Sequence, residues 1–153
     1  MVTPVRPRVY LDANVFIAAF ETQGAHSDHA WWILNAIEGG DLFGVTSELT
    51  LAEILVGPMQ DGDDELVQRY QDIISPAECF EVGTVTRAVL IEAGTLRSAR
   101  RAMRLPDAIH VASARIGGCR FIVSDDRRMS FAPEMQVVPL GPFALDIIRA
   151  DRP

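Results

Sequence analysis

Lysine is absent from this 153-residue chain, and all 14 basic residues are arginine. That excludes the phosphoacceptor signalling modules of the α/β class, which need a lysine on a late strand. Cysteine is scarce as well. Cys79 and Cys119 lie far apart and outside any C-x-x-C pair, which argues against a zinc site and a disulfide scaffold and fits two ordinary thiols in a reducing cytoplasm. No apolar run is long enough to span a membrane, and the opening MVTPVRPR, interrupted by two prolines, carries no signal-peptide pattern. There is no repeat and no low-complexity stretch. Basic charge is in short supply too. The net charge of −7 gives no global field for nucleic acid, so any such contact must be local, and the acidity suits a basic partner.

What remains is the length of one domain, with 48% hydrophobic residues to fill its core. Residues 1–153 read as a single domain with its core over roughly 8–140 and a peripheral tail over 141–153. Short apolar runs at 8–11, 42–46, 120–124 and 136–140, with CFEVG between them, read as strands. Helical stretches alternate with them. One starts near Asn14. A second, SDHAWWILNAIEGG, has Ser27 or Asp28 as its cap and Gly39-Gly40 as its end. A third, SELTLAEILVG, is capped by Ser47 and stopped at Gly57-Pro58. DGDDELVQRYQDII forms a surface helix, and a long stretch from Val85 runs into an arginine-rich end. PDAIHVASARIGG closes the series, with Pro106 in its first turn. Strands alternating with helices predict a mostly parallel sheet of four to five strands, covered by helices on both faces.

Five acids stand in or beside apolar stretches. Asp12 follows Val9-Tyr10-Leu11 and precedes Val15-Phe16-Ile17, although a carboxylate is rarely buried unless paired or metal-bound. Asp125 and Asp126 follow another apolar strand. In an open α/β sheet, ligands gather outside the carboxyl ends of the strands. Glu53 and Asp107 fall on helices, near Leu49 and Val56 and near Val111 and Ala114. The helical wheel does not decide between Glu48 and Glu53. Each acid alone also has a plain structural reading: a helix-start acid, an arginine partner, a turn. If Asp12, Glu53, Asp107 and Asp126 converge, each like-charged pair at ~4 Å costs about 1 kcal/mol in water and about 4 at an effective dielectric near 20. A cation must offset this, and hard oxygen ligands suit Mg²⁺ or Mn²⁺.

YLDANVFIAAF, VTSELTLAEILVG, LPDAIHVASA and FIVSDDRRM, in that order and spacing, resemble the four acidic motifs of PIN-domain ribonucleases. The size and the DAIHVASA helix resemble the VapC-type toxins of bacterial toxin–antitoxin pairs. The resemblance runs over roughly residues 8 to 140. It implies an α/β PIN-like fold and a metal site of Asp12, Glu53, Asp107 and Asp126. The last motif, usually Thr-x-Asp, reads Ser124-Asp125-Asp126, so Ser124 supplies the orienting hydroxyl and Asp125 stands as a substitute ligand. Asn14 matches a supporting polar position. The resemblance further implies Mg²⁺- or Mn²⁺-dependent hydrolysis of RNA, tRNA among the candidates, leaving a 5′-phosphate and a 3′-hydroxyl. It also implies a VapB-type antitoxin, a homodimer and no membrane association.

Weaker signals surround these. Arg97, Arg100, Arg101 and Arg104, spaced i, i+3, i+4, i+7, would form one stripe on a single helix, either guiding RNA phosphates or pairing with acids on a solvated face. His110 reads as a buried, hydrogen-bonded histidine near the acids. His26 and His29 read as surface residues. Trp31 and Trp32 cannot both face the core, which makes one of them a candidate partner contact. Two rival functions share this site: a non-catalytic metal- or partner-binding module, and a phosphatase or DNA nuclease.

Overall fold

A computed structural model describes residues 5–126, 129 and 135–151. Five strands, β1 (Arg8–Leu11), β2 (Phe43–Ser47), β3 (Phe80–Gly83), β4 (Phe121–Val123) and β5 (Gln136–Val138), form one sheet of order β3-β2-β1-β4-β5. Every pairing is parallel. The helices are α1 (Ala13–Glu21), α2 (Ala25–Glu38), α3 (Glu48–Asp61), α4 (Asp64–Ile73), α5 (Arg87–Ala99), α6 (Leu105–Ile116) and α7 (Ala144–Ala150). None of the described helices is long and apolar enough to cross a membrane.

The period of two in β1 splits the interior. Val9 and Leu11 face one apolar cluster with Val15, Phe16, Ile33 and Ile54 from α1, α2 and α3. Tyr10 faces the other, with Val89, Ala93, Ala108 and Val111 from α5 and α6. A sheet buried on both faces explains why its strands read as continuous apolar runs. α2 comes so close to β2 that a Cβ on Gly44 would lie 2.7 Å from Ile37 Cδ1 and 2.8 Å from Phe80 Cδ2. Only glycine fits there without movement.

Three boundaries differ from the sequence reading. α2 begins at Ala25 after Gly24, with no side-chain cap, because Ser27 is buried and turns its hydroxyl to Ala19 O. α3 runs through Gly57-Pro58, with Pro58 buried, and ends at Gly62, whose φ of 69° makes the left-handed cap. The segment after Gly141 is not peripheral. α7 buries Ala144 and Ile148 in the first cluster, since its apolar residues recur at helical spacing and meet α2.

Candidate metal and nuclease site

β1 sits between β2 and β4, so the chain reverses its winding there and leaves a crevice at the carboxyl ends of these two strands. Leu11 and Val123 are register partners, which places the next residues, Asp12 and Ser124, side by side. Asp12 is 4% exposed. Its Oδ1 accepts from Ala13 N at 2.8 Å, capping α1, and its Oδ2 accepts from the Ser124 hydroxyl at 2.7 Å. Asn14 Nδ2 lies 3.4 Å from the same Oδ2. Burial raises the Asp12 carboxyl above its ordinary range, opposed by attraction to His110 and by these two hydrogen bonds. Ser124 Oγ also accepts from Asp126 N at 3.0 Å, so one hydroxyl links the first and last acidic motifs.

The last motif divides its two carboxylates. Asp125 turns away: its Oδ1 accepts from Leu140 N at 2.9 Å, and its Oδ2 lies 3.3 Å from His26 Nε2. Asp126 instead lies 3.6 Å from Arg104 Nη2. On one side a cavity of about 410 Å³ is lined by Asn14, Thr22, His26, Asp125 and Asp126 among others.

Asp107 occupies the first turn of α6 and is 3% exposed. Arg104, three residues earlier, donates Nε to Asp107 Oδ2 at 3.1 Å and Nη2 to Oδ1 at 3.4 Å. The expected arginine stripe does not form. α5 ends at Ala99, Arg100 is its C-cap, and Arg104 is the N-cap of α6. Met103, 1% exposed, draws the intervening turn onto the core, and Arg97 Nε donates to Met103 O at 3.1 Å. Arg97 therefore braces the turn, Arg104 reaches the acids, and Arg100 and Arg101 are exposed in the turn.

His110, one turn beyond Asp107, is 1% exposed. Its Nδ1 meets the Tyr10 hydroxyl at 2.6 Å, its Nε2 contacts Glu53 Oε1, and Nε2 lies 3.9 Å from Asp12 Oδ1. Burial holds the Tyr10 hydroxyl protonated far above its usual range. It can donate to Nδ1, and Nε2–H then faces Glu53. One atom each from Asp12, Glu53 and His110 falls within a 4.8 Å cluster. Glu53 is not enclosed by apolar neighbours: its side chain is 36% exposed and Val56 is 53% exposed. That face of α3 points outward, and Glu53 reaches inward to His110. Glu48, exposed in the first turn of α3, is not part of this cluster. The sequence reading anticipated a buried His110 but not its Tyr10 partner, 100 positions away, because no local pattern encodes such a pairing.

All four acids thus join one polar network, through Ser124, His110 and Arg104. The sequence profile of the PIN domain matches residues 9–135, which takes in all four. The chain belongs to the PIN domain family. PIN domains are typically nucleases that use divalent metals. Among solved structures, this PIN domain is similar to a toxin–antitoxin complex from Klebsiella pneumoniae, with 21% identity, a TM-score of 0.64, and coverage of 85% of this chain and 95% of that one. It is similar to VapBC2 from Rickettsia felis bound to a promoter DNA fragment, with 17% identity, a TM-score of 0.67, and coverage of 86% and 98%. It is also similar to Mycobacterium tuberculosis VapC20, a sarcin-ricin-loop-cleaving toxin, with 19% identity, a TM-score of 0.66, and coverage of 86% and 99%. At these identities the likeness establishes the fold. No curated protein sequence matches this chain.

The donor set fits a hard divalent cation. Asp12 and Asp107 are buried carboxylates, Asp126 is largely shielded, and Glu53 lies at the rim. Oxygen donors of this kind suit Mg²⁺ or Mn²⁺, which keep several waters when bound by a few carboxylates. A soft metal would want sulfur, and both cysteines are free and buried elsewhere.

Proposed function

We propose that this PIN domain is the toxin of a VapBC-type toxin–antitoxin pair, a Mg²⁺- or Mn²⁺-dependent endoribonuclease acting in the cytoplasm. The observation that carries the reading is the meeting of Asp12 and Ser124 at the switch point, with Asp107, Asp126 and Glu53 joined to them through shared partners. Asp12, Asp107 and Asp126 would hold the ion, with Glu53 beside them. Asp126 is preferred to Asp125, whose oxygens meet Leu140 and His26. When bound, the ion activates water and offsets the charge that develops on phosphate.

The chain's own residues have separate tasks in this reading. Ser124 orients Asp12 by donating to Oδ2, and the Ala13 amide fixes its other oxygen. Asn14 supports Asp12 from the first turn of α1. His110, anchored by Tyr10, fixes the direction of Glu53. Arg104, exposed beside the acids, meets an approaching RNA phosphate. No side-chain nucleophile is required.

The antitoxin would lay a basic segment over the acids, since a guanidinium binds carboxylate bidentately. The net charge of −7 draws such a segment from a distance. Two of the similar solved structures contain an antitoxin and a toxin together. A homodimer would use exposed apolar surface such as Trp32, 46% exposed, and Trp31, 37% exposed.

A substrate panel with Mg²⁺ tests the reading. Single-stranded RNA, including tRNA, should be cut in preference to single-stranded DNA and phosphomonoesters. Preferred turnover of DNA or of phosphomonoesters would move the assignment to a DNA nuclease or a phosphatase. Metal binding without turnover of any substrate would make the chain a non-catalytic module.

A further inference from the structure

Arg104 stands where a metal ion would be expected to work. Its guanidinium donates twice to the buried Asp107 and lies 3.6 Å from Asp126. These contacts span the third and fourth acidic motifs. Yet the Arg104 side chain is 57% exposed while the Asp107 side chain is 4% exposed. The cation is therefore free to swing into solvent, and the carboxylate is not. Although Arg104 is the N-cap residue of α6, its side chain makes no cap hydrogen bond, so nothing in the helix start requires it to stay.

We infer that Arg104 is a resident counter-ion that competes with the divalent metal for Asp107 and Asp126 and swings out when the metal binds. The inference rests on the metal reading of these acids given above. Two carboxylates brought together without a cation repel each other, and a charge-assisted fork of hydrogen bonds relieves this. A divalent ion on the same oxygens leaves no room for the fork. It also repels the guanidinium, which then points outward toward the phosphate of an incoming strand. Metal occupancy and Arg104 position are thus linked, and a cation lies beside both acids in either state.

Calorimetric titration of Mn²⁺ alone into the full chain, at low ionic strength and without RNA, tests this. Arg104→Ala and Arg104→Gln should each bind Mn²⁺ about tenfold more tightly than the wild type, the scale of one lost charge-assisted hydrogen bond. Arg104→Lys, which keeps the charge but not the fork, should fall between them and the wild type. Equal affinity in wild type and Arg104→Ala would overturn the competition and leave the metal reading standing. Weaker binding in Arg104→Ala would overturn it in favour of an arginine that holds the acids in place for the metal. Absence of Mn²⁺ binding in every variant would overturn both this inference and the metal reading.

Discussion

At the amino end of the sheet, Arg8 donates to Gly117 O and to Glu81 and lies over the Phe43 ring. Nearby, Arg120 pairs with Asp151 and Arg6 donates to Cys79 Sγ. These arginines have local partners at or near the surface. At the carboxyl end the signs reverse: Asp12 and Asp107 are buried, and with Glu53 and Asp126 they share Arg104 and His110. Paired surface charges contribute little and cost little. Buried like charges oppose folding unless a ligand or partner compensates them. A fold that keeps the second arrangement does so for what binds there, and the following changes should separate the two ends.

The largest effect should come from Asp12→Asn. Loss of residues that merely orient a metal ligand lowers activity or metal affinity about 10–100-fold, so loss of the ligand itself should lower RNA cleavage at least about 100-fold. The fold should survive. Because burial raises the Asp12 carboxyl, the native state holds its proton more tightly than the unfolded chain does. Stability then falls as pH rises through the ordinary aspartate range. The asparagine variant escapes this loss, so thermal melts without metal should show it more stable than wild type near neutral pH. The advantage should fade below about pH 4. A variant that unfolds would make Asp12 chiefly a structural cap.

Next comes Ser124→Ala, which removes the hydroxyl shared by Asp12 and Asp126 N. Mn²⁺ affinity should fall about 10–100-fold, and Ser124→Thr should restore it. At the amino end, Arg8→Ala should cost about 1 kcal/mol in denaturant unfolding while RNA cleavage stays at the wild-type rate. Loss of cleavage there would break the division between the two ends. The smallest effect concerns Cys119, whose thiol burial pushes up to about 12. Native protein near pH 8 should leave it unalkylated, with modification following only on unfolding.

The strands and the order of acidic motifs were legible in the sequence, because apolar runs and the residues that interrupt them are local patterns. Asp12 and Asp107 stood out since each is a charge in apolar company, and Ser47 was readable as a cap. The arginine stripe was not legible as it stands. Its spacing suits a helix, but α5 ends at Ala99 and a turn with Met103 buried separates it from α6. The side chains that bridge the acids were hidden for another reason. Tyr10, Glu53 and His110 meet across strand β1 and helices α3 and α6, and sequence distance says nothing about that meeting. Ala144 and Ile148 are buried at helical spacing, a pattern that the reading of 141–153 as a peripheral tail missed.

The proposed role of the acids at the carboxyl end of the sheet is to hydrolyse RNA through a divalent ion. Its most direct test is the chemistry of the RNA ends made by purified protein in Mg²⁺, in EDTA, and after Mg²⁺ is restored. Cleavage should stop in EDTA and return with Mg²⁺, leaving 5′-phosphate and 3′-hydroxyl ends. Cleavage that persists in EDTA, or products ending in a cyclic phosphate, would contradict it.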